Sequence, residues 1–199
     1  MIDHPRQRAG LASSILAALV VVAACAGSPG APARASTGAA DPPAASSTPT
    51  ALLSQAWATA PLVDAATGET FRIADLAGKV VIVETMAIWC SNCRAQQGDV
   101  QTALSRLPAD GVVYVVLDVD PNEDAASLAK YQADNGFVGR YAVAGVDVAR
   151  ALAAEFGDQF LNPPSTPMVI VGTDGTVTQT EFGPKGPDQI VALAKAHGA

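Results

Sequence analysis

Residues 80–93 of the chain have the sequence VVIVETMAIWCSNC, and this stretch decides the fold. The first four, residues 80–83, are all apolar, which is typical of a strand that is buried on both faces. Two cysteines, Cys90 and Cys93, follow with two residues between them. Apolar residues then recur at helical spacing as far as Pro108, so we expect a helix to begin at the cysteines. The pair therefore lies where a buried strand passes into a helix.

This position gives the two cysteines a chemical role. Unpaired backbone N–H groups and the positive end of the helix dipole lie near the first thiol and stabilise its thiolate, which is the nucleophilic form. Cys93 lies one helical turn after Cys90 and can resolve a mixed disulfide that Cys90 forms with another protein. The sequence therefore predicts a redox-active pair.

Other roles for a cysteine pair fit this sequence less well. A zinc site needs two further ligands at suitable spacing, and the sequence offers none. A copper-carrying protein of this kind needs a histidine partner, whereas His4 and His197 lie at opposite ends of the chain. A purely structural disulfide does not need the strand-to-helix context. We therefore expect neither a metal nor an organic cofactor.

The patterns around the motif predict one α/β domain with a mixed central sheet flanked by helices. Further strands are expected at residues 58–63, 69–74, 112–119, 168–173 and 176–182, and further helices at about residues 120–135, at 146–156 and after Pro187. Thr67-Gly68 divides the first two strands, and Asp174-Gly175 is a favoured hairpin turn between the last two. The N-terminal pair is thus expected to form a hairpin extension of the domain.

The helix after the second long strand carries start and stop signals. Asp120 can cap its first turn, Pro121 fits the first helical position, and Glu123 stands where a capping-box carboxylate is expected. At the other end, Asn135-Gly136 is a favourable left-handed cap. The sequence therefore predicts a helix that begins at Asp120 and stops at Gly136.

Composition excludes several classes of protein. Apolar residues make up 49% of the 199 residues and charged residues 16%, which is too apolar for a wholly disordered chain. Nineteen acidic residues against 12 basic ones leave a net charge of -7, so we expect no nucleic-acid partner. Three cysteines do not form a disulfide scaffold, which needs an even number.

The N-terminus has the pattern of an export signal. Arg6 and Arg8 precede an apolar stretch at residues 11–24, which is shorter than the ~20 residues that a membrane-spanning helix needs. Val22-Ala23-Ala24-Cys25 looks like the lipobox of bacterial lipoproteins, in which the chain is cut before a cysteine that is then lipidated. We therefore interpret residues 1–24 as a lipoprotein signal peptide and Cys25 as the lipidation site. An uncleaved anchor helix and a plain secretion signal remain alternatives.

Residues 25–56 separate this signal from the folded part of the chain. They are mostly Ala, Pro, Ser, Thr and Gly without an apolar period, so we predict a disordered tether. A flexible chain of about 30 residues spans on the order of 30 Å, which holds a domain clear of a lipid surface. The folded domain is then expected at residues 57–199, outside the cytoplasm and anchored to the cell membrane, on its periplasmic side or outer face.

Residues 57–198 resemble the thioredoxin-like superfamily, and within it the TlpA/ResA-type extracytoplasmic thiol–disulfide oxidoreductases. The resemblance rests on the lead-in IADLAGKVV at residues 73–81, on Trp89 before the first cysteine, on Ser165-Thr166-Pro167 and on the Asp174-Gly175 hairpin. It implies a thioredoxin-like fold. In this family Thr166 and Pro167 correspond to the cis-proline loop beside the active site, so they are expected to bind substrate, with the Thr166 backbone offering hydrogen bonds to a substrate strand. Trp89 corresponds to a platform for the substrate.

The resemblance also implies a role for Glu84. A buried acid stands six residues before the first cysteine in thioredoxins, as Glu84 does here. Burial without a neighbouring cation raises the pKa of a carboxyl group, so Glu84 is expected to accept the proton of Cys93. The alternative is a carboxylate at the edge or surface of the sheet.

The chain departs from the family pattern at three positions. Asn92 stands where proline often precedes the second cysteine, and Gln96 stands where some reductases of this type have glutamate. Both differences bear on the reduction potential. Ala87 stands where the peroxiredoxin pattern has threonine, so we expect no peroxidase activity by that route.

These features together predict a lipid-anchored protein-disulfide reductase that acts as a monomer. Its substrates are expected to be cysteines of exported proteins, and the resemblance implies apocytochrome c or a similar maturing protein as client, with electrons from a membrane donor. Two alternatives remain: an oxidant of the same fold, since direction depends on the reduction potential, and a non-catalytic binding lipoprotein on the same scaffold.

Overall fold

The central sheet of the protein has five strands in the order β5-β4-β3-β6-β7. The computed structural model describes residues 54–199, so the expected signal peptide, Cys25 and the tether up to residue 53 lie outside the described residues. The strands are β3 (Val80–Met86), β4 (Val112–Asp118), β5 (Arg140–Val143), β6 (Met168–Val171) and β7 (Val177–Gln179). β3, β4 and β5 run parallel, whereas β6 and β7 are antiparallel to their neighbours. The predicted mixed sheet is confirmed.

Helices cover both faces of this sheet. They are α1 (Ala56–Thr59), α2 (Ser91–Leu104), α3 (Ala125–Asn135), α4 (Val146–Phe156) and α5 (Pro187–Ala196). Alternate residues of β3 point to opposite faces, so Ile82 and Met86 pack with α2, α3 and α5, and Val83 packs with α1 and α4. Every residue of β3 is buried, which agrees with its continuous apolar run.

The N-terminal hairpin is present but shorter than predicted. β1 (Leu62–Val63) pairs with β2 (Thr70–Phe71) around the Thr67-Gly68 turn. The expected strands at 58–63 and 69–74 extend too far, because residues 56–59 form α1 and Ile73–Leu76 form a turn of 3-10 helix. Trp57 and Ile73 are buried, so tertiary packing decides the local conformation at both ends. In residues 54–199 none of the helices has the length and hydrophobicity to cross a membrane.

The predicted start of α3 is wrong by four residues. Asp124 is the N-cap, and its carboxylate accepts the N–H of Ser127 at 2.8 Å. Asp120 accepts the Trp89 indole N–H and, in a local turn, the Asn122 N–H, and Glu123 accepts the Ile88 N–H, so neither of the expected capping residues is the N-cap of α3. The predicted end is confirmed, since Gly136 follows Asn135 with a φ of 66° that suits glycine. A capping signal was therefore present, but long-range contacts use its carboxylates.

Candidate active site

Cys90 and Cys93 form a disulfide at the N-terminus of α2. Cys90 is the N-cap, and its sulfur accepts the backbone N–H of Cys93 at 3.1 Å. Both sulfur-bearing side chains are almost fully buried, with Cys90 2% and Cys93 0% exposed. The N–H directed at the Cys90 sulfur stabilises negative charge there once the disulfide is reduced, as the predicted role of Cys90 as the attacking thiol requires.

Cys93 lies deeper, against a loop from a distant part of the chain. Its sulfur is 3.2 Å from the carbonyl oxygen of Pro163, and the neighbouring Asn92 side chain donates to the Pro164 carbonyl at 3.1 Å. The loop that leads into Pro167 therefore packs on the cysteine motif. A reduced Cys93 is a buried thiol facing a carbonyl, and its buried surroundings disfavour the thiolate. It needs a base before it can act as a nucleophile.

Glu84 is fully buried in β3, so it is not the edge or surface carboxylate of the alternative interpretation. Glu84 lies two residues from both Ile82 and Met86 in β3, and side chains two residues apart in a strand point to the same face. Because Ile82 and Met86 face α2, the Glu84 side chain lies on the sheet face that carries the cysteine motif. The Tyr114 hydroxyl donates to Glu84 Oε2 at 2.6 Å, whereas Oε1 has no hydrogen-bond partner among the described residues. Burial raises the pKa of Glu84 to about 8, and Tyr114 and Lys185 only partly offset it.

Lys185 is a site residue that sequence reasoning missed. Glu84 was expected to be buried without a cation, but the Lys185 side chain is also buried and its charge favours the ionised form of Glu84. The Lys185 ammonium donates to the carbonyls of Gly183 at 2.6 Å and Thr166 at 3.0 Å. Its neighbours Pro184 and Gly186 are turn-forming residues, so the sequence around it is typical of an exposed loop. No local pattern points to its burial.

Gln96 connects Lys185 to the cysteine helix. Its amide is buried, donates to the Lys185 carbonyl at 3.0 Å and accepts the Lys185 N–H at 2.6 Å. An amide can make both bonds, whereas a glutamate there cannot donate to the carbonyl unless it is protonated. Gln96, which stands where some reductases of this type have glutamate, therefore has in Lys185 a backbone partner that an amide suits.

Thr166 has a backbone conformation that is rare for its residue type. Its φ is 45°, and it is the one non-glycine residue of the described part of the chain with a positive φ. Its N–H donates to the Pro163 carbonyl at 2.8 Å, and its own carbonyl accepts from Lys185. Both backbone groups expected to bind a substrate strand thus have partners within the protein. That Thr166 and Pro167 bind substrate, and that their peptide bond is cis, stay predictions.

Trp89 is the large exposed side chain beside the motif, with 60% of its surface exposed. Its indole N–H donates to Asp120 Oδ2 at 2.7 Å, which fixes the orientation of the ring. A groove of about 180 Å³ adjoins it and is lined by Ala87, Trp89, Val119, Asp120, Pro121, Leu161 and Pro163. An exposed, oriented aromatic ring next to a groove can act as the predicted substrate platform.

Two carboxylates that follow β4, those of Asp120 and Glu123, hold the segment that precedes Cys90, and Asp118 at the end of β4 holds Asp120. Glu123 Oε2 accepts the Ile88 N–H at 2.7 Å, Asp120 accepts from Trp89, and Asp118 Oδ1 accepts the Asp120 N–H at 3.0 Å. Burial, reinforced by the neighbouring Glu123, raises the pKa of Asp118 to about 7. Sequence reasoning assigned two of these residues to a helix cap, so their contribution to the site was missed.

The remaining titratable residues do not build a metal site. No group of three or more His, Cys, Asp or Glu side chains within residues 54–199 is arranged to hold a metal ion. His197 contacts the Leu193 carbonyl and the Thr178 hydroxyl at the end of α5. His4 lies outside the described residues.

Comparisons with known proteins agree with this geometry. The family model described as AhpC/TSA family matches residues 56–180. The chain is similar to the crystal structure of a thiol:disulfide interchange protein of the thioredoxin family from Chlorobium tepidum, with a TM-score of 0.58 and 22% identity over 69% of this chain and 94% of that one. No curated protein matches the sequence.

Two further solved structures share the fold. A secreted Mycobacterium tuberculosis disulfide oxidoreductase homologous to E. coli DsbE has a TM-score of 0.57 and 16% identity, over 70% of this chain and 97% of that one. BsSco, a member of the Sco family of cytochrome c oxidase assembly proteins, has a TM-score of 0.55 and 16% identity, over 69% of this chain and 90% of that one. At these identities the similarity establishes a thioredoxin-like fold, which confirms the predicted fold class.

Glu84→Gln is expected to stabilise the protein at alkaline pH. The folded state keeps a proton on Glu84 up to about pH 8, whereas an ordinary carboxyl releases it near 4.5. The contribution of Glu84 to stability is therefore full below pH 4.5 and is lost as the pH rises to about 8. Above pH 8 the free energy of unfolding of Glu84→Gln should exceed that of wild type by on the order of 3 kcal/mol.

Urea unfolding at pH 5 and pH 9 measures this difference. The exposed residue Glu181 provides a matched control, since Glu181→Gln removes one carboxylate without changing a buried group. An equal difference between Glu84→Gln and wild type at both pH values would show that Glu84 does not keep its proton in the folded state.

Proposed function

Because the chain belongs to the AhpC/TSA family, we propose that it reduces disulfides in exported proteins through its Cys90–Cys93 pair, outside the cytoplasm and anchored to the membrane. Its general activity is that of a thiol–disulfide oxidoreductase of the redoxin type. One observation carries the proposal: a disulfide at a helix N-terminus, with a backbone N–H directed at the Cys90 sulfur and an exposed Trp89 beside it.

The first step is attack on the client. The Cys90 thiolate attacks one sulfur of a client disulfide, which forms a mixed disulfide and releases the other client sulfur as a thiolate. The N–H of Cys93 lowers the energy of the Cys90 thiolate before the attack. Trp89 and the adjoining groove support the client segment that carries the cysteine.

The second step is resolution of the mixed disulfide. Glu84 takes the proton of Cys93, directly or through one water, and the Cys93 thiolate then attacks the Cys90 sulfur. The client leaves with its second thiolate, and the protein returns to the Cys90–Cys93 disulfide seen in the structure. The client gains two electrons, and a membrane thiol–disulfide donor restores them to Cys90 and Cys93. The high pKa of Glu84 and its unpartnered Oε1 support the role of proton acceptor.

Charge around the site supports the reducing direction. Asp120 and Glu123 hold the segment just before Cys90, Asp118 holds Asp120, and Glu84 adds a negative charge on the same sheet face as the motif once it ionises. Where they are ionised, these carboxyl groups disfavour a thiolate on a nearby sulfur, which makes the reduced cysteine pair less stable relative to the disulfide. A less stable dithiol form is a stronger reductant. The resemblance to the TlpA/ResA type supports apocytochrome c or a similar maturing protein as client.

Variants of the two cysteines are expected to separate attack from resolution. Cys93→Ser should accumulate a mixed disulfide with a client cysteine, because attack by Cys90 continues while resolution stops. Cys90→Ser should form no such adduct and should reduce insulin roughly a hundredfold more slowly than wild type. Non-reducing gels and insulin turbidity with dithiothreitol measure the two effects. Equal insulin rates for Cys90→Ser and wild type would favour the non-catalytic binding lipoprotein.

The reduction potential tests the direction of electron flow. For a reductase we expect the Cys90/Cys93 couple near the value of thioredoxin, about -270 mV. Equilibration of the purified protein with glutathione or dithiothreitol buffers, followed by alkylation of free thiols, gives this value. A potential near about -120 mV would instead identify an oxidant that forms disulfides.

Lipidation of Cys25 gives the third test. Wild type expressed in a bacterium is expected to enter the detergent phase of a phase-separating extract and to begin at Cys25, because two acyl chains or more hold a protein stably on a membrane. Cys25→Ser should lose that partition. Retention of residues 1–24 with unchanged partition in Cys25→Ser would indicate an uncleaved anchor helix, and a soluble wild type would indicate a plain secretion signal. Cys93→Ser serves as a control that keeps Cys25.

A further inference from the structure

The Lys185 ammonium is buried in an unusual way. Lysine side chains normally extend their charge into water, yet Lys185 is only 2% exposed. Among the described residues no carboxylate lies within ion-pair distance of it, and its ammonium donates to the neutral carbonyls of Thr166 and Gly183. Burial accordingly lowers the pKa of Lys185. Burying an ammonium without an ion pair costs free energy, so we expect a nearby group whose charged form this ammonium stabilises.

The fold holds Lys185 in place from two sides. Gln96 bonds to both its backbone N–H and its carbonyl, which fixes the backbone of Lys185. The two carbonyls at the other end fix the ammonium. Gln96 is one turn after Cys93 in α2, so the position of the lysine is tied to the cysteine helix.

Glu84 is the acidic group on which this cation acts, without direct contact between them. Met168 lies directly opposite Glu84 in the β3–β6 register, and Thr166, which accepts from Lys185, lies two residues before Met168. The carboxyl oxygen Oε1 of Glu84 is buried without a partner. The two charges therefore act on each other across the start of β6, and the attraction is reciprocal.

The other titratable groups around Glu84 do not supply a positive charge. Tyr114 from β4, Tyr141 from β5 and Tyr131 from α3 face it, and all three are neutral phenols whose pKa is raised by burial. Cys93 from α2 lies on the same face of the sheet and becomes negative when it reacts. Within residues 54–199 Lys185 is thus the cation that acts on Glu84.

We propose that Lys185 is a positioning residue that acts through Glu84: its fixed positive charge keeps Glu84 able to ionise near neutral pH and so sets the pH at which Cys93 resolves the mixed disulfide. The inference rests on the proposed role of Glu84 as proton acceptor. Without the cation, burial and three phenols leave the Glu84 carboxylate with only the Tyr114 hydrogen bond to stabilise it. Glu84 then holds its proton to higher pH and serves as a base less often.

Single-turnover resolution of a preformed mixed disulfide, followed from pH 6 to pH 10, tests this role. Lys185→Met removes the charge and keeps the apolar stem. We expect its resolution midpoint to move about one pH unit to the alkaline side, with roughly tenfold slower resolution at pH 7. The initial attack by Cys90 should change less than about twofold, because Cys90 relies on the Cys93 N–H.

Three variants guard against a merely structural effect. Lys185→Gln also removes the charge but can still donate to a carbonyl, so it should show the same shift and provides the measurement if Lys185→Met does not fold. Lys195→Met removes an exposed lysine of α5 and should leave the midpoint unchanged. In a Glu84→Gln background, Lys185→Met should cause no further shift, since the group that it acts on is gone.

The outcomes distinguish a failure of the role of Lys185 from a failure of the role of Glu84. An unchanged midpoint in Lys185→Met and Lys185→Gln, with slow resolution in Glu84→Gln, would overturn the role of Lys185 and leave Glu84 as the base. A shift of the same size in the Glu84→Gln background would show that Lys185 does not act through Glu84. An unchanged resolution rate in Glu84→Gln alone would overturn the role of Glu84, and the role of Lys185 with it.

Discussion

The complete burial of β3 is the constraint on which the rest of the structure depends. A strand that is covered on both faces needs a helix layer on each side, and α2 with α5 on one face and α1 with α4 on the other meet that need. Because α2 follows β3 after a short segment, the burial of the strand also fixes where the first turn of α2 lies. The Cys90–Cys93 pair is therefore held at a rigid junction, where helix N–H groups act on its sulfur.

Because β3 is completely buried, ionisation of its one ionisable residue, Glu84, costs free energy. Glu84 sits in an apolar strand, where its charged form is strongly disfavoured, and the protein surrounds it with a phenol and a distant ammonium rather than with water. A carboxyl group in this state stays mostly neutral up to about pH 8 and, once ionised, is a stronger base than an ordinary carboxylate. That property suits a group that must accept a proton from a buried thiol and then lose it again.

The departures from the family pattern form connected sets. Gln96, in the place where some reductases have glutamate, holds Lys185, and Lys185 in turn holds the Thr166 carbonyl. Asn92, in place of proline, donates to the Pro164 carbonyl and so ties the start of α2 to the same loop. Ala87 supplies only its carbonyl, which accepts the Cys90 N–H, and offers no hydroxyl of the kind found in the peroxiredoxin pattern. At Asn92 and Gln96, where this chain differs from the family pattern, the side chains make contacts that join α2 to the Pro163–Thr166 loop and to Lys185.

The sequence by itself determined the elements and the reactive pair. Continuous apolar runs, helical spacing and glycine at helix ends are local signals, and they predicted β3, β4, α4, the end of α3 and the helix that begins at Cys90.

Only the tertiary structure decided which polar residues meet. Asp120 and Glu123 carry a capping signal, but in the folded chain they accept the N–H groups of Trp89 and Ile88, which lie in the segment before Cys90. Lys185 lay in a turn-like sequence, and its burial depends on Gln96 and Thr166, which are far away in the chain. Hydrogen bonds between distant residues leave no periodicity in the sequence, so the electrostatic setting of Glu84 could be read only from the folded chain.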